Sequence, residues 1–286
     1  MSSPQRSQSP LNHRLIYEAC ENSDIPNLQQ LLDTSGVKKG DLPVVRRCRY
    51  SPDDDPVPAS GPPPTLSMLF IAVIHKRPAV LALLLQIYPK ADIRSAGLLQ
   101  AAVVNQHLET FKVLHAHDPS IVNFHEFFCH ESLLIKACFG GNPLIPNYLL
   151  DNGADPKYGG LGLMNCLYYA VELHQPLEVF SKMVGKGAHV SPVYITTAIR
   201  AKRPDVLAFL FRRFRFDNQM EVLRGALVEA HETKDQDIIM LIEKLIKMEN
   251  RKSAEEFESV SSIKKESWHE KGAGENRKWW QKWWIR

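Results

Sequence analysis

One short segment combines residue types that could bind a metal ion or act as an acid–base pair. His125-Glu-Phe-Phe-Cys-His130 is close to the His-Glu-x-x-His pattern, which places two zinc ligands one helical turn apart with a glutamate as the base. Cys129 holds the second ligand position here and His130 lies one residue too far along, although a thiolate also binds zinc. We favour a structural or binding loop, because the segment falls between the helices predicted below. An enzyme or metal-binding protein that uses His125 and Cys129 is the second hypothesis.

A glycine-rich segment gives a weaker signal for phosphate binding. Gly159-Gly-Leu-Gly-Leu-Met164 contains Gly-x-Gly, but it lacks the final glycine and the preceding strand of a dinucleotide-binding loop. No P-loop, kinase signature or nucleophile elbow is present in the sequence, and no pair of carboxylates falls on one predicted helical face inside a plausible pocket. The sequence therefore predicts a protein without enzymatic activity and without a cofactor.

Charge and cysteine usage narrow the class of protein. The formal net charge is +3, and residues 251–286 account for it with nine Lys/Arg against six Glu, so the rest of the chain is neutral. A neutral body argues against a general nucleic-acid binder, which needs a basic face. Five cysteines, an odd number without Cys-x-x-Cys, fit the reduced thiols of a cytoplasmic or nuclear protein. Neither a secretory signal nor a run of ~18 apolar residues is apparent.

The elements that would position any functional residue follow an internal repeat. Two segments nearly copy each other: His75-Lys-Arg-Pro-Ala-Val-Leu-Ala-Leu-Leu-Leu85 and Ala201-Lys-Arg-Pro-Asp-Val-Leu-Ala-Phe-Leu-Phe211. Each follows an apolar stretch with an alanine six residues before the proline. This alanine recurs with gaps of 53, 30, 35, 33, 28 and 32 residues. The register alanines are Ala19, Ala72, Ala102, Ala137, Ala170, Ala198 and Ala230.

Each repeat is predicted to form two short helices joined by a tight turn. Ser132 to Cys138 form the first helix of one unit, Gly140-Gly-Asn142 the turn, and Pro143 to Leu150 the second helix. Proline suits the first position of a helix, where its missing N–H would be unpaired in any case. Five units place a proline in this region: Pro26, Pro78, Pro143, Pro176 and Pro204.

At these residues the chain resembles the ankyrin-repeat family. Asn147-Tyr-Leu-Leu-Asp-Asn-Gly-Ala-Asp155 is similar to the ending of the family's repeat, and Gly187-Ala-His189 is a weaker copy. The family's Thr-Pro-Leu-His opening is degraded, for example to Ser67-Met-Leu-Phe70. The resemblance covers roughly residues 13–246. It implies an all-α fold, an α-solenoid of six to seven ankyrin-like helix-turn-helix repeats, that works as a protein-binding adaptor or scaffold.

Composition divides the chain into five segments. We predict a flexible N-terminus at 1–12, a first ankyrin-like unit at 13–33, a Pro-rich insertion at 34–64 and the main array at 65–250. Residues 251–286 are rich in Lys, Glu and Ser and are predicted to be a disordered tail or a frayed helix. The Pro-rich segment 51–64 of the insertion cannot form a helix or a central strand, so it is predicted to be a mobile surface loop. A docking site for a proline-reading domain is the alternative.

The resemblance also implies where a partner protein would bind. In ankyrin-like folds the contact positions lie at the end of the first helix, here the second and third residues after each register alanine. Several of these residues are apolar, and an exposed apolar stripe usually marks an interaction site. The alternative is that degraded units pack differently and bury Ile74, Val104 and Phe139. The predicted contact residues are Ile74, His75, Val104, Asn105, Phe139, Glu172, Leu173 and Arg200.

The C-terminal residues suggest a different kind of contact. All five tryptophans lie at or after Trp268, and four cations accompany the last four of them. Indole rings with Lys and Arg suit the surface of an anionic membrane, or equally a hydrophobic groove on a partner. A disordered end without function is the third interpretation. The residues concerned are Trp279, Trp280, Lys282, Trp283 and Trp284.

Overall fold

In a computed structural model the chain is all-helical over the residues that the structure describes, which are 9–45, 61–94, 96–125, 131–157 and 165–270. The predicted all-α class is confirmed at this level. The α-helices of the described residues are α1 (Ser9–Asn22), α2 (Ile25–Thr34), α3 (Thr65–Ile74), α4 (Pro78–Ile87), α5 (Ala96–Val104), α6 (Leu108–His117), α7 (Leu133–Cys138), α8 (Leu144–Asp151), α9 (Cys166–Glu172), α10 (Leu177–Gly185), α11 (Val193–Arg200), α12 (Pro204–Arg213), α13 (Gln219–Thr233) and α14 (Gln236–Glu270).

The chain forms two compact units, Met1–Tyr194 and Ile195–Arg286. In the first unit, α1, α3, α5, α7 and α9 pack side by side, each against the next. Every one of these helices also packs against the helix that follows it in the chain, and α4 contacts α6 while α8 contacts α10. In the second unit, α14 packs against both α12 and α13.

The register alanines lie where helices meet. All seven are on the odd-numbered helices from α1 to α13, and none is more than 3% exposed. A small side chain is needed there because it lets two short helices approach closely. In the second helix α4, the residues at helical spacing that are buried are Val80, Leu81, Leu84 and Leu85.

The turns between paired helices share one backbone conformation. The fourth residue after each register alanine has a positive φ, between 52° and 70°, and these residues are Ser23, Lys76, Gln106, Gly141, His174, Lys202 and Lys234. In four of the turns the next residue donates its N–H back to the alanine carbonyl, as Arg77 does to Ala72 at 2.8 Å. This is the Schellman ending of a helix, which usually takes glycine at the left-handed position. Only Gly141 is a glycine among the seven.

The prolines begin the second helices as predicted. Pro78 and Pro204 are the first residues of α4 and α12, Pro26 is the second residue of α2, and Pro143 and Pro176 cap α8 and α10. Gly153 follows the end of α8 with φ 91°, the left-handed conformation that glycine adopts readily after a helix.

Two predicted segments differ from the structure in part. Helix α14 continues past residue 250 to Glu270, where a disordered tail or a frayed helix was expected from 251. Residues 251–270 lack Gly and Pro and contain many Glu, Lys and Arg, which favour a helix once α13 and α12 anchor its beginning. Within the insertion, residues 37–45 are attached to the body: Thr65 donates its N–H to the Val44 carbonyl, and Gly40 donates to Ile87. Residues 46–60 and 271–286 lie outside the described residues.

Candidate functional site

The predicted contact residues include three that form an exposed apolar surface. Ile74, Val104 and Phe139 are 43%, 47% and 48% exposed. Each lies two residues after a buried register alanine, on the adjacent helices α3 and α5 and directly after α7. The alternative in which these side chains are buried is therefore excluded, and they form a continuous series on neighbouring elements.

Helix α3 extends this surface by two residues that the sequence did not single out. Leu66 and Phe70 are 42% and 38% exposed, and they precede Ile74 at intervals of four residues, so the three share one face of α3. The opposite face buries Met68, Leu69, Ala72 and Val73. We call Leu66, Phe70, Ile74, Val104 and Phe139 the apolar row. The four-residue spacing was the available signal, but a helix that is apolar all round does not show which side faces solvent.

A groove adjoins the apolar row on the α3 side. It has a volume of about 850 Å³ and is lined by Leu66 and Phe70 of the row, by Val44 and Val45 of the attached loop, and by Leu98 of α5. This volume is within the range of binding clefts in proteins, about 300–1,000 Å³. Lys90, Asp92 and Arg94 stand at its edge. The apolar row is thus continuous with a recess rather than isolated on a flat surface.

Charged residues occupy the equivalent positions on either side of the apolar row. Glu21 on α1 and Glu172 on α9 also lie two residues after a register alanine, and both are exposed. His75, a predicted contact residue, is exposed beside Glu21, with 3.6 Å between its Nδ1 and a carboxylate oxygen. The surface of the first unit therefore has an apolar centre with a carboxylate at each end.

Phe139 is held in place by its neighbours. Its ring lies 5.1 Å from that of Tyr169 on α9, and the Lys136 ammonium is 5.8 Å from its ring centre. Lys136 also pairs with Glu131. The aromatic contact and the cation limit the rotamers of Phe139, so less conformational entropy is lost when a partner binds it.

Polar side chains from the turns connect neighbouring helix pairs. The amide of Asn105 donates to the carbonyls of Val73 at 3.2 Å and Ile74 at 3.5 Å, and Arg77 Nε donates to the Glu21 carbonyl at 2.7 Å. Gln175 is fully buried and its Nε2 donates to the Cys138 carbonyl at 2.9 Å. These bonds satisfy carbonyls at the ends of α1, α3 and α7, which have no partner within their own helices. They connect neighbouring helix pairs of the first unit.

The remaining predicted contact residues have different surroundings. Asn105 is half-buried and its amide is used in the tie to α3. Leu173 is half-buried, next to exposed Glu172. Arg200 belongs to the second unit, where its Nε lies 2.6 Å from a carboxylate oxygen of Glu229. The structure thus brings together Ile74, Val104 and Phe139 of the predicted set, whereas Arg200 belongs to the second unit.

The residues considered for chemistry fall mostly outside the described ranges. Cys129 and His130, the glycine-rich segment 159–164 and the Trp-rich residues 279–284 all lie there, while His125 forms a bridge with Ser132. Among the described residues no three His, Cys, Asp or Glu side chains are placed to hold a metal ion. Burial raises the pKa of Cys20 and Cys166 to about 12 and raises that of Cys138 as well. These three thiols are therefore protonated at neutral pH and are poor nucleophiles.

Within the part of the chain that the structure describes, no helix combines the length and the apolar character that crossing a bilayer requires.

No protein-family model matches this sequence, and a search of curated proteins finds no significant match.

Proposed function

We propose that this protein is a non-enzymatic adaptor that binds another protein through the apolar row, on a solenoid of ankyrin-like repeats. One observation carries the proposal: large apolar side chains are exposed at equivalent positions of adjacent helix pairs. Monomeric soluble proteins rarely expose contiguous apolar surface without a binding role. The regular turns, the recurring buried alanines and the second-helix prolines support the ankyrin-like repeat.

The dimensions of the apolar row indicate the size of the partner's contact segment. Packed helices lie about 8–10 Å apart, so the two steps from Ile74 to Phe139 cover roughly 16–20 Å. A helix of about 12 residues is roughly 18 Å long and would span this distance. Glu21 and Glu172 lie one helix further out on either side of this span, so Lys or Arg would be favoured in the partner residues that flank the segment. The partner surface that fits best has an apolar centre and basic ends.

The proposed location is the cytoplasm or the nucleus. Cys20, Cys138 and Cys166 are free thiols buried in the helical core, as expected for a compartment in which thiols stay reduced.

Serine substitutions in the apolar row test the proposal. Because Ile74 and Val104 are about half exposed in the free protein, only part of the roughly 1.5–3 kcal/mol for burying such a side chain remains to be gained on binding. Losing both should weaken binding by about 10- to 100-fold. The tagged Ile74→Ser/Val104→Ser variant should capture correspondingly less of the proteins that the wild type retains from native cells, measured by quantitative mass spectrometry.

The matched control removes exposed apolar side chains elsewhere. Val228 and Met240 are 64% and 58% exposed on α13 and α14, so the Val228→Ser/Met240→Ser variant loses a similar amount of apolar surface. It should capture the same proteins as the wild type. If the control loses them and the Ile74/Val104 variant retains them, the apolar row is not the binding surface.

A further inference from the structure

The second unit contains a groove of its own that the apolar row does not include. It has a volume of about 390 Å³ and lies among α12, α13 and α14. Leu223 forms a buried part of its floor, Phe211, Leu241 and Leu245 are half-buried, and Met248 is 47% exposed. The floor is therefore apolar but accessible to solvent.

The spacing on α14 explains why an apolar surface remains open there. Ile238 and Ile242 form the buried face of the helix. Leu241, Leu245 and Met248 follow a second face, at intervals of four and three residues, which is only half covered. The core of this unit is filled without this second face. The second face of α14 therefore remains uncovered by α12 and α13 and forms a wall of the groove.

The rim of the groove is positively charged. Arg212, Lys244 and Lys252 line it, all three are exposed, and none forms an ion pair with another described residue. The acidic residue at the rim, Glu249, is engaged by Arg215. The groove thus presents three cations around an apolar floor, with its carboxylate already neutralised.

We propose that this groove binds an acidic segment of a partner protein, with one or two large apolar side chains inserted between α12, α13 and α14 and carboxylates facing Arg212, Lys244 and Lys252. The face of α14 from Leu241 to Lys252 covers twelve residues, and the eleven steps between its ends measure about 17 Å at 1.5 Å per residue. That length fits a helical segment of about three turns or an extended one of about five residues. The site is independent of the apolar row, whose flanking charges are acidic and would favour a partner of the opposite sign.

An inserted side chain is favoured over an anionic membrane by the shape of the floor. A flat lipid surface would meet Met248 and the cations, but it could not reach Leu223, which is buried at the bottom. A single apolar side chain projecting from a peptide can enter such a recess, and its carboxylate neighbours can then meet the rim. Apolar contact should therefore contribute to affinity together with charge.

The test uses a defined probe and the full-length protein. The probe is a fluorescein-labelled 15-residue synthetic peptide of Glu and Ala with Leu at two positions four residues apart, and binding is followed by fluorescence anisotropy at 150 mM salt. Two control peptides carry Ser in place of Leu, or Lys in place of Glu. We expect saturable binding of the first peptide and at least tenfold weaker binding of both controls.

Charge reversals on one helix provide the matched protein variants. Lys244→Glu/Lys252→Glu changes two rim cations, whereas Lys247→Glu/Arg251→Glu makes the same change of net charge at exposed residues of α14 outside the groove lining. Charges more than about 8–10 Å from the peptide are largely screened at this salt concentration. The first variant should weaken binding about tenfold or more, and the second less than about threefold. Met248→Ser should also weaken binding severalfold, and circular dichroism of each variant establishes that the helices are intact.

Three results would overturn the proposal. One is the absence of saturable binding by the acidic peptide. Another is an equal loss of binding in the two charge-reversed variants, which would mean that net charge alone attracts the peptide. The third is a combined result: the peptide binds equally well with and without Leu, and vesicles with 30% phosphatidylserine bind in a manner that depends on Lys244 and Lys252. That result would assign the groove to an anionic lipid surface.

Discussion

The turn after α7 allows a direct test of the repeat geometry, because its left-handed residue is a glycine while the equivalent turn after α3 uses a lysine. Gly141 has φ 70° and Lys76 has φ 57°. A β-carbon added at Gly141 would meet no atom within 4 Å. The substitution Gly141→Ala therefore changes the backbone preference without creating a steric clash.

The magnitude follows from two opposing terms. A residue with a β-carbon costs about 1–2 kcal/mol in the left-handed region, whereas replacing Gly by Ala recovers about 0.4–1 kcal/mol by restricting the unfolded chain. Gly141→Ala should thus lower the free energy of unfolding by roughly 0.5–1 kcal/mol. Lys76→Gly reverses both terms and should raise it by a similar amount, since Lys76 is exposed and makes no side-chain bond to another described residue.

Urea unfolding followed by circular dichroism at 222 nm measures both changes. Tryptophan fluorescence is unsuitable, because all five tryptophans lie at or after Trp268, beyond the first unit. For a unit of this size, a change of 1 kcal/mol shifts the melting temperature by about 2–4 °C, so thermal melts provide a second measurement. Stabilisation by Gly141→Ala, or destabilisation by Lys76→Gly, would refute the left-handed turns and the repeat register that depends on them.

Other predictions follow from burial and charge. Ala170→Glu should destabilise the first unit by about 3–5 kcal/mol, because it buries an unpaired charge. The control Ala79→Glu, at an exposed position in the first turn of α4, should change stability by less than about 0.5 kcal/mol. An unchanged urea midpoint for Ala170→Glu would mean that Ala170 does not lie on the buried face of α9. Cys20, Cys138 and Cys166 should resist iodoacetamide at pH 8 until urea unfolds the chain, as followed by peptide mass spectrometry, because burial raises the pKa of each thiol. The Arg94 guanidinium and Ser120 hold the pKa of Asp118 at about 2, below its ordinary 3.8. The ionised Asp118 therefore contributes stability above pH 3.8 that is lost as the pH falls towards 2, so the difference in melting temperature between wild type and Asp118→Asn should shrink over that interval; a difference that stays constant would contradict the pairing.

The repeat register could be predicted from the sequence because it depends on residue types with few alternatives. A buried contact between two short helices requires a small side chain, so alanine recurs at that position, and proline is tolerated mainly at the start of a helix. The helix pairs could be placed from these two residues alone. The left-handed turns could not, because Ser, Lys, Gln and His give no sign of a positive φ.

The residues of the candidate sites could likewise be predicted only in part. Ile74, Val104 and Phe139 were predicted from their distance to the register alanines, and the structure places all three on the surface. Leu66 and Phe70 were missed because α3 is apolar on every side, so its exposed face depends on how α1 and α5 pack against it. The length of α14 was underestimated because its polar composition resembles that of a disordered segment. The second groove depends on the positions of α12 and α13, which a helical spacing on α14 does not specify.

Site-specific photo-crosslinking in native cells tests the central claim, that the apolar row binds a partner protein, most directly. Benzoylphenylalanine would replace Val104 on α5 or Ala116 on α6, both exposed residues of one helix pair. If a partner binds through the apolar row, position 104 should give a crosslinked protein of defined mass, and position 116 should give no such product. The product from position 104 should be lost when Ile74→Ser and Phe139→Ser are added. A product from position 116 alone, or equal products from both positions, would contradict the claim that this protein acts through the apolar row.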